Sequence, residues 1–276
     1  MRTGVLFAVL ASLATSTCFA QLDDVSLHTA FERHFMIGTA LNVRQVDAAD
    51  AELDAFVEKH FNAVTAENSM KWERIHPAEG EWNWAPADRI VEFAARRGMH
   101  LTGHTLVWHQ QTPDWVFEDE DGNPASRELL LQRMRAHIEA VVGRYKGKVQ
   151  SWDVLNEGID EDGSIRDNVW RRIIGDDYIE KAFAYAHAAD PDALLFYNDY
   201  NMFAPGRRAG TIALVERLRE QGIPVHGIGM QGHMRIDYPE TLDAFEASVV
   251  AFGELGVGVA VTELDVSVLP WPGEKA

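Results

Sequence analysis

Two stretches decide how this chain folds: Trp152-Asp153-Val154-Leu155-Asn156-Glu157 and Val259-Ala260-Val261-Thr262-Glu263-Leu264-Asp265-Val266. Each is built on a short apolar run, the pattern of a parallel strand covered on both faces. Each also carries a glutamate at its far end. Packing gives no reason for a carboxylate there, whereas a barrel of parallel strands gathers its reactive groups on the rim formed by the strand carboxyl ends. Glu157 and Glu263 are therefore candidate catalytic carboxylates.

Working outward, strands of similar character are predicted over residues 35–40, 63–66, 101–107, 149–155, 193–197, 227–231 and 257–264. Stretches with helical periodicity lie between them. Ala87, Ile90, Val91 and Ala94 share one face and Gly98 ends it; Leu130, Met134, Ile138, Val141, Val142 and Tyr145 form the next stripe. Ile179, Ala182, Phe183 and Ala186 follow, closed by Pro191, then Leu214, Val215 and Leu218, closed by Gly222, and finally Leu242, Phe245, Val249 and Phe252. These stripes read as core faces. Strand and helix alternate without a shift in composition, which predicts one α/β domain over residues 21–276, since parallel strands need helical crossovers. No Gly-x-Gly-x-x-Gly follows the first strand, so the expectation is a TIM (β/α)8-type barrel rather than a dinucleotide-binding sheet. No eighth strand-and-helix unit is legible after the seventh strand. The barrel is therefore expected to be incomplete at its C-terminal side, with unpaired edges beside its first and last strands and weak turnover.

Composition narrows the function. A 276-residue chain with 46% hydrophobic residues is long enough for one substantial core. Arg2, the apolar stretch from Val5 to Leu13 and Ala20 before Gln21 have the layout of a secretory leader over residues 1–20. A lipid anchor on Cys18 is the weaker alternative, because Thr15-Ser16-Thr17 is a poor approach to a lipidated cysteine. No later run is long enough to span a membrane. Cys18 is the only cysteine, so a mature chain has no disulfide, no thiol nucleophile and no thiolate metal ligand. The net charge of −18 becomes −19 once Arg2 leaves with the leader. Such a surface repels nucleic acid and anionic lipid. Arg96-Arg97 and Arg207-Arg208 read as isolated basic pairs at helix ends. The acidic turns around Glu118–Gly122 and Asp160–Gly163 lack the ligand pattern of a calcium loop and read as solvated. His104, His109 and His233 lack metal-ligand spacing, and neither a metal nor a cofactor is expected.

The strand ends collect an unusual set of side chains: Glu67-Asn68-Ser69-Met70-Lys71-Trp72, Gly103-His104-Thr105-Leu106-Val107-Trp108-His109, Asn156-Glu157, Asn198-Asp199-Tyr200-Asn201, Gln231-Gly232-His233 and Glu263. Amides, imidazoles, a lysine and indoles converging on one rim describe a carbohydrate cleft. Sugar hydroxyls take polar partners, and the C–H faces of the ring stack on aromatic side chains. Bland readings exist beside this one, with Lys71 as a surface partner of Glu67, Trp108 as core filler and His137 as a structural helix residue.

In this order, over residues 35–266, these motifs closely resemble glycoside hydrolase family 10, the endo-β-1,4-xylanases. The resemblance implies that Glu263 is the nucleophile and Glu157 the acid/base, with Asn156 on the sugar 2-hydroxyl. It implies that Gln231 and His233 hold the nucleophile and that Asp265 orients His233. His104 and Trp108 would line the −1 sugar, Glu67, Asn68 and Lys71 the −2 sugar, and Tyr200 the leaving-group side. The chemistry fits two carboxyl groups about 5–5.5 Å apart, one attacking and one donating a proton. The partner expected is xylan or a xylo-oligosaccharide, acted on by a monomer without nucleic acid or membrane. The alternatives are a β-1,4-glucanase of a related barrel family and a non-catalytic sugar-binding barrel.

Overall fold

The computed structural model describes residues 25–48, 50–236 and 241–268; the expected leader lies outside them. Among the described residues nine strands occur in this order: β1 (Gly38–Leu41), β2 (Ala63–Ala66), β3 (His100–Val107), β4 (Ser151–Asn156), β5 (Leu194–Asp199), β6 (Gly227–Met230), β7 (His233–Arg235), β8 (Gly258–Val261) and β9 (Asp265–Ser267). Seven of them form one sheet in the order β1-β2-β3-β4-β5-β6-β8. Every neighbouring pair is parallel, with Gly38 beside Ala63, Ala63 beside His100, Ser151 beside Leu194 and Gly227 beside Gly258. Sequence neighbours are thus sheet neighbours, and all the carboxyl ends lie along one rim. This is the strand order of a TIM-type (β/α) barrel. Among the described residues, β1 and β8 are the two ends of the sheet.

The crossover helices begin and end where local chemistry directs. Ala51–His60 starts on the Asp50 side chain, which accepts from the amides of Glu52 and Leu53, and Arg127–Arg144 starts on Ser126 in the same way. Ala85–Arg97 has a proline in its first turn and stops at Gly98, whose φ of 63° is left-handed. Tyr178–Ala189 stops two residues before Pro191. In Ala85–Arg97, Arg127–Arg144, Tyr178–Ala189 and Pro205–Glu220 the expected stripes are buried. The helix Thr241–Glu254 departs from that pattern: only Ser248 and Phe252 are buried, and Leu242 is exposed. It covers the end of the sheet, where no further strand or helix among the described residues closes over its other side.

One strand reading needs correction. The last strand was expected over 257–264, but β8 stops at Val261 and the chain restarts as β9, which pairs with β7 in a separate two-stranded sheet. The pairing of β8 ends where β6 ends, at Met230 beside Val261, and the neighbouring chain then turns at Gly232 with a left-handed φ of 80°. Both basic pairs lie at helix ends as expected, and Arg207 is fully buried against Asp199. Arg97 is also largely covered, lying over the Phe93 ring and paired with Asp54 and Glu58.

The core wall depends on one close approach. Trp152 of β4 is fully buried, and a Cβ on its β3 neighbour Gly103 would sit 2.1 Å from its ring. Only glycine leaves room for that indole, whose burial stabilises the sheet by roughly 2–3 kcal/mol.

A second aromatic cluster holds two histidines. His76 stacks on Trp82 at 3.7 Å, His137 stacks on Trp72 at 3.6 Å, and their Nδ1 atoms meet at 3.3 Å. His137 is thus a structural residue. Burial pushes His76 down to about 4 against a weak opposing pull from Glu79. Burial, with His76 adding to it, also holds His137 well below its ordinary value. The unfolded chain therefore takes up protons that the folded chain refuses, and stability is complete above about pH 6.5 and falls toward pH 4. Going from pH 7 to pH 5 is expected to cost about 2 kcal/mol through His76 alone. Urea midpoints at the two pH values should show a smaller loss in His76→Phe than in the native chain; equal losses would contradict this account.

Candidate active site

Glu157 lies immediately beyond β4, with a left-handed φ of 58° and only 9% of its surface exposed. Its amide donates to the carbonyl of Asn198 at 2.8 Å. Its Oε1 accepts from the Gln231 side chain at 3.1 Å and from Asn156 Nδ2 at 3.3 Å. Glu263 lies just past β8, and its amide donates to the carbonyl of Gln231 at 2.8 Å. Its Oε1 accepts from Asn198 Nδ2 at 3.1 Å, and that same Nδ2 donates to Asn156 Oδ1 at 2.9 Å. Gln231 Nε2 also reaches Asn156 Oδ1, at 3.3 Å. Three amide side chains from β4, β5 and the end of β6 thus link the two carboxylates into one hydrogen-bonded network.

The environments of the two differ. Glu157 is buried, whereas the Glu263 side chain is one-third exposed and its Oε2 lies 3.2 Å from His233 Nε2. His233 Nδ1 is in turn 2.7 Å from Asp265 Oδ2 across the β7–β9 pair. Partial burial works against charge on His233, but the Asp265 hydrogen bond and the charges of Asp265 and Glu263 outweigh it and raise its pKa. A protonated His233 has a donor for each carboxylate. Gln231 does not fit its expected place: its amide turns to Glu157 rather than Glu263, and Asn198 occupies the latter position.

The remaining candidates lie along the same rim. Lys71 Nζ donates to Asn68 Oδ1 at 3.0 Å and to Gln111 Oε1 at 2.8 Å, and it sits over the Trp108 ring at 5.1 Å. Burial lowers the Lys71 pKa, opposed by the charges of Glu263, Glu67, Glu73 and Glu157, so this ammonium lies in the field of both candidate catalytic groups. Glu67 accepts from Asn42 and Asn68, each at 3.1 Å, rather than hydrogen-bonding Lys71. The Trp108 carbonyl accepts from Thr112 Oγ1 and Trp170 Nε1, while its own indole N–H is buried without a partner in the protein. That leaves a donor for a ligand or water. His104 is buried, with Nδ1 2.8 Å from Asp153 Oδ2. The Tyr200 hydroxyl accepts from Arg166 at 3.0 Å.

Sequence reading passed over Asn198, Asn42, Gln111, Arg166 and His109. Asn198 had a signal, since it stands inside the strand-end segment Asn198-Asp199-Tyr200-Asn201. Asn42 and Gln111 had none, because nothing in a loop amide announces its distant partner. His109 is lowered by burial, partly opposed by Glu157, which places it near that carboxylate. Among the described residues no cluster of His, Cys, Asp and Glu is arranged to hold a metal ion.

The model of glycosyl hydrolase family 10 matches residues 26–275. Endo-1,4-beta-xylanase B of Paenibacillus barcinonensis is 49% identical over 245 residues, covering 88% of this chain and 72% of that protein. The crystal structure of xylanase XynB from the same organism, complexed with a conduramine derivative, aligns with a TM-score of 0.85 at 47% identity, over 91% of this chain and 75% of that one. A mutant enzyme in complex with xylotriose aligns with a TM-score of 0.85 at 41% identity, over 91% of this chain and 76% of that one. The chain belongs to glycosyl hydrolase family 10. It is accordingly an enzyme of the glycoside hydrolase class, on a TIM-barrel fold.

Asn198 is fully buried and bonds Glu263 directly and Asn156, the neighbour of Glu157, with the same amide, so Asn198→Ala leaves Asn156, Glu263 and Thr262 each short of a partner. The expected cost is about 1–3 kcal/mol of stability in denaturant unfolding, with kcat falling by about a hundredfold or more. Unchanged kcat in a folded variant would remove Asn198 from the site.

Proposed function

We propose that the protein is a secreted, retaining endo-1,4-β-xylanase in which Glu263 is the nucleophile and Glu157 the acid/base. The observation that carries this reading is the single amide network that joins the two glutamates at the ends of β4 and β8. The ionised Glu263 attacks the anomeric carbon as the glycosidic bond breaks, and protonated Glu157 delivers its proton to the departing oxygen. The covalent glycosyl ester removes the charge on Glu263, which favours an ionised Glu157. Glu157 then takes a proton from water, the resulting hydroxide displaces Glu263, and both groups return to their starting forms. Neither step requires a cofactor.

The resemblance assigns the supporting residues their roles, and their positions on the rim are compatible with them. His233, backed by Asp265, donates to Glu263 and holds it toward the sugar. Asn156, held by Asn198 and Gln231, meets the 2-hydroxyl as the oxocarbenium-like state forms. His104 and the free indole N–H of Trp108 serve the −1 sugar, and Glu67, Asn68 and Lys71 the −2 sugar, with Asn42 and Gln111 as their supports. Tyr200 faces the leaving-group side. A pentose chain suits the Glu67-Asn68-Lys71 cluster because xylose lacks the exocyclic CH2OH that would crowd it. The relatives' names and the xylotriose complex support xylan or xylo-oligosaccharides as substrate.

Reducing-sugar release should be much faster on xylan than on a soluble cellulose derivative; a dominant glucanase activity would overturn the substrate. Glu263→Ala should lose nearly all turnover, at least about ten-thousandfold, and azide or formate should restore part of it with inverted product stereochemistry. Near-normal activity in that variant would refute the nucleophile. Secretion rests on the leader-like residues 1–20: mass spectrometry of the mature protein should find Gln21 at its amino terminus, and an intact Met1 in the exported protein would refute cleavage.

A further inference from the structure

The segment that follows β4 is held by more polar contacts than a three-residue turn requires. Glu157 joins Gln111 and Asn201 as the non-glycine residues with left-handed φ among the described residues. Such a conformation costs about 1–3 kcal/mol and persists only where the surroundings over-determine it. Here they do so one backbone group at a time. The Glu157 amide donates to the Asn198 carbonyl at 2.8 Å, and the Glu157 carbonyl accepts from Arg166 Nε at 2.9 Å. The Gly158 amide donates to the Tyr197 hydroxyl at 3.0 Å, and the Gly158 carbonyl accepts from the Arg166 amide at 2.8 Å. The Ile159 amide donates to Asp199 Oδ2 at 3.4 Å, and its carbonyl accepts from Arg207 Nη1 at 2.5 Å and Arg166 Nη2 at 3.4 Å. Every N–H and C=O from Glu157 to Ile159 is engaged.

The donors and acceptors of this clamp form a unit of their own. Arg207 Nη1 pairs with Asp199 Oδ1 at 2.8 Å with both side chains fully buried, and the Tyr197 hydroxyl donates to Asp199 Oδ2. Burying such a pair is a poor route to stability, because desolvation offsets the attraction. What the pair supplies is a fixed position for the peptide it holds. The loop beyond is pressed onto the helix Pro205–Glu220: a Cβ on Gly206 would lie 2.2 Å from the Glu161 carbonyl, and one on Gly210 would lie 2.3 Å from that of Gly163. Two glycines thus let the backbones touch and bring Arg207, between them in sequence, beneath the turn.

We propose that Tyr197, Arg166 and the Asp199–Arg207 pair are positioning residues for the general acid: by fixing the left-handed turn they aim the Glu157 carboxyl at the leaving-group oxygen. This inference rests on Glu157 being the acid/base. It is separable from a general structural role because proton donation matters in proportion to how poor the leaving group is.

The test measures kcat/KM, which reports formation of the glycosyl-enzyme, on aryl β-xylobiosides with a dinitrophenyl or a phenyl leaving group. Tyr197→Phe removes one hydroxyl from a buried ring, and Arg166→Met is a second variant in a partly exposed position. Each should lose about tenfold or more with the phenyl substrate and stay within about twofold with the dinitrophenyl one. Glu157→Ala should show the same selectivity more strongly. Equal losses on both substrates, or no loss on either, in both positioning variants would overturn the clamp while leaving Glu157 in its role. A Glu157→Ala enzyme without leaving-group selectivity would instead remove the acid/base assignment, and the clamp inference with it.

Discussion

The site depends on one shared donor, the side-chain amide of Asn198. It is the point at which the halves of the rim meet, because it bonds Asn156 on one side and Glu263 on the other while its oxygen holds Thr262. Buried amides are costly unless satisfied, so a fully satisfied one admits few alternative arrangements. That constraint fixes β4, β5 and the end of β8 relative to each other at their carboxyl ends. Glu157 and Glu263, 106 positions apart in sequence, thereby come to share one network.

The site is also built asymmetrically. On the Glu157 side every backbone group is bonded, the ion pair beneath is dry, and the neighbouring loop sits on a glycine-faced helix. On the Glu263 side the orienting His233 and Asp265 are substantially exposed and belong to the short β7–β9 pair. The difference follows sheet position. β4 is central and covered on both flanks, whereas β8 is the last strand in the order among the described residues.

How much of this was legible in the sequence depended on whether the cause was local. The strand over 63–66 and the stripes on most crossover helices could be read because apolar spacing and caps act over a few residues. The rim residues could be read because polar groups after buried strands have no packing role. The contacts between them could not. Gln231 was expected on Glu263 but turns to Glu157, since an amide has two directions and only the fold chooses between them. Arg207 could be read only as half of a basic pair at a helix end, because helical spacing does not show that Asp199 waits beneath it. The break between β8 and β9 was hidden by an unbroken run of strand-forming residues, because its counterpart is the left-handed Gly232 between β6 and β7.

The β7–β9 ribbon has a consequence for how the enzyme fails on heating. Three paired positions, with exposed side chains on β9, give little cooperative resistance to local opening, far less than the central strands have. Opening there releases His233 and Asp265 from Glu263 without disturbing the interior. Fraying at this one margin is therefore expected to remove catalytic competence before the interior unfolds.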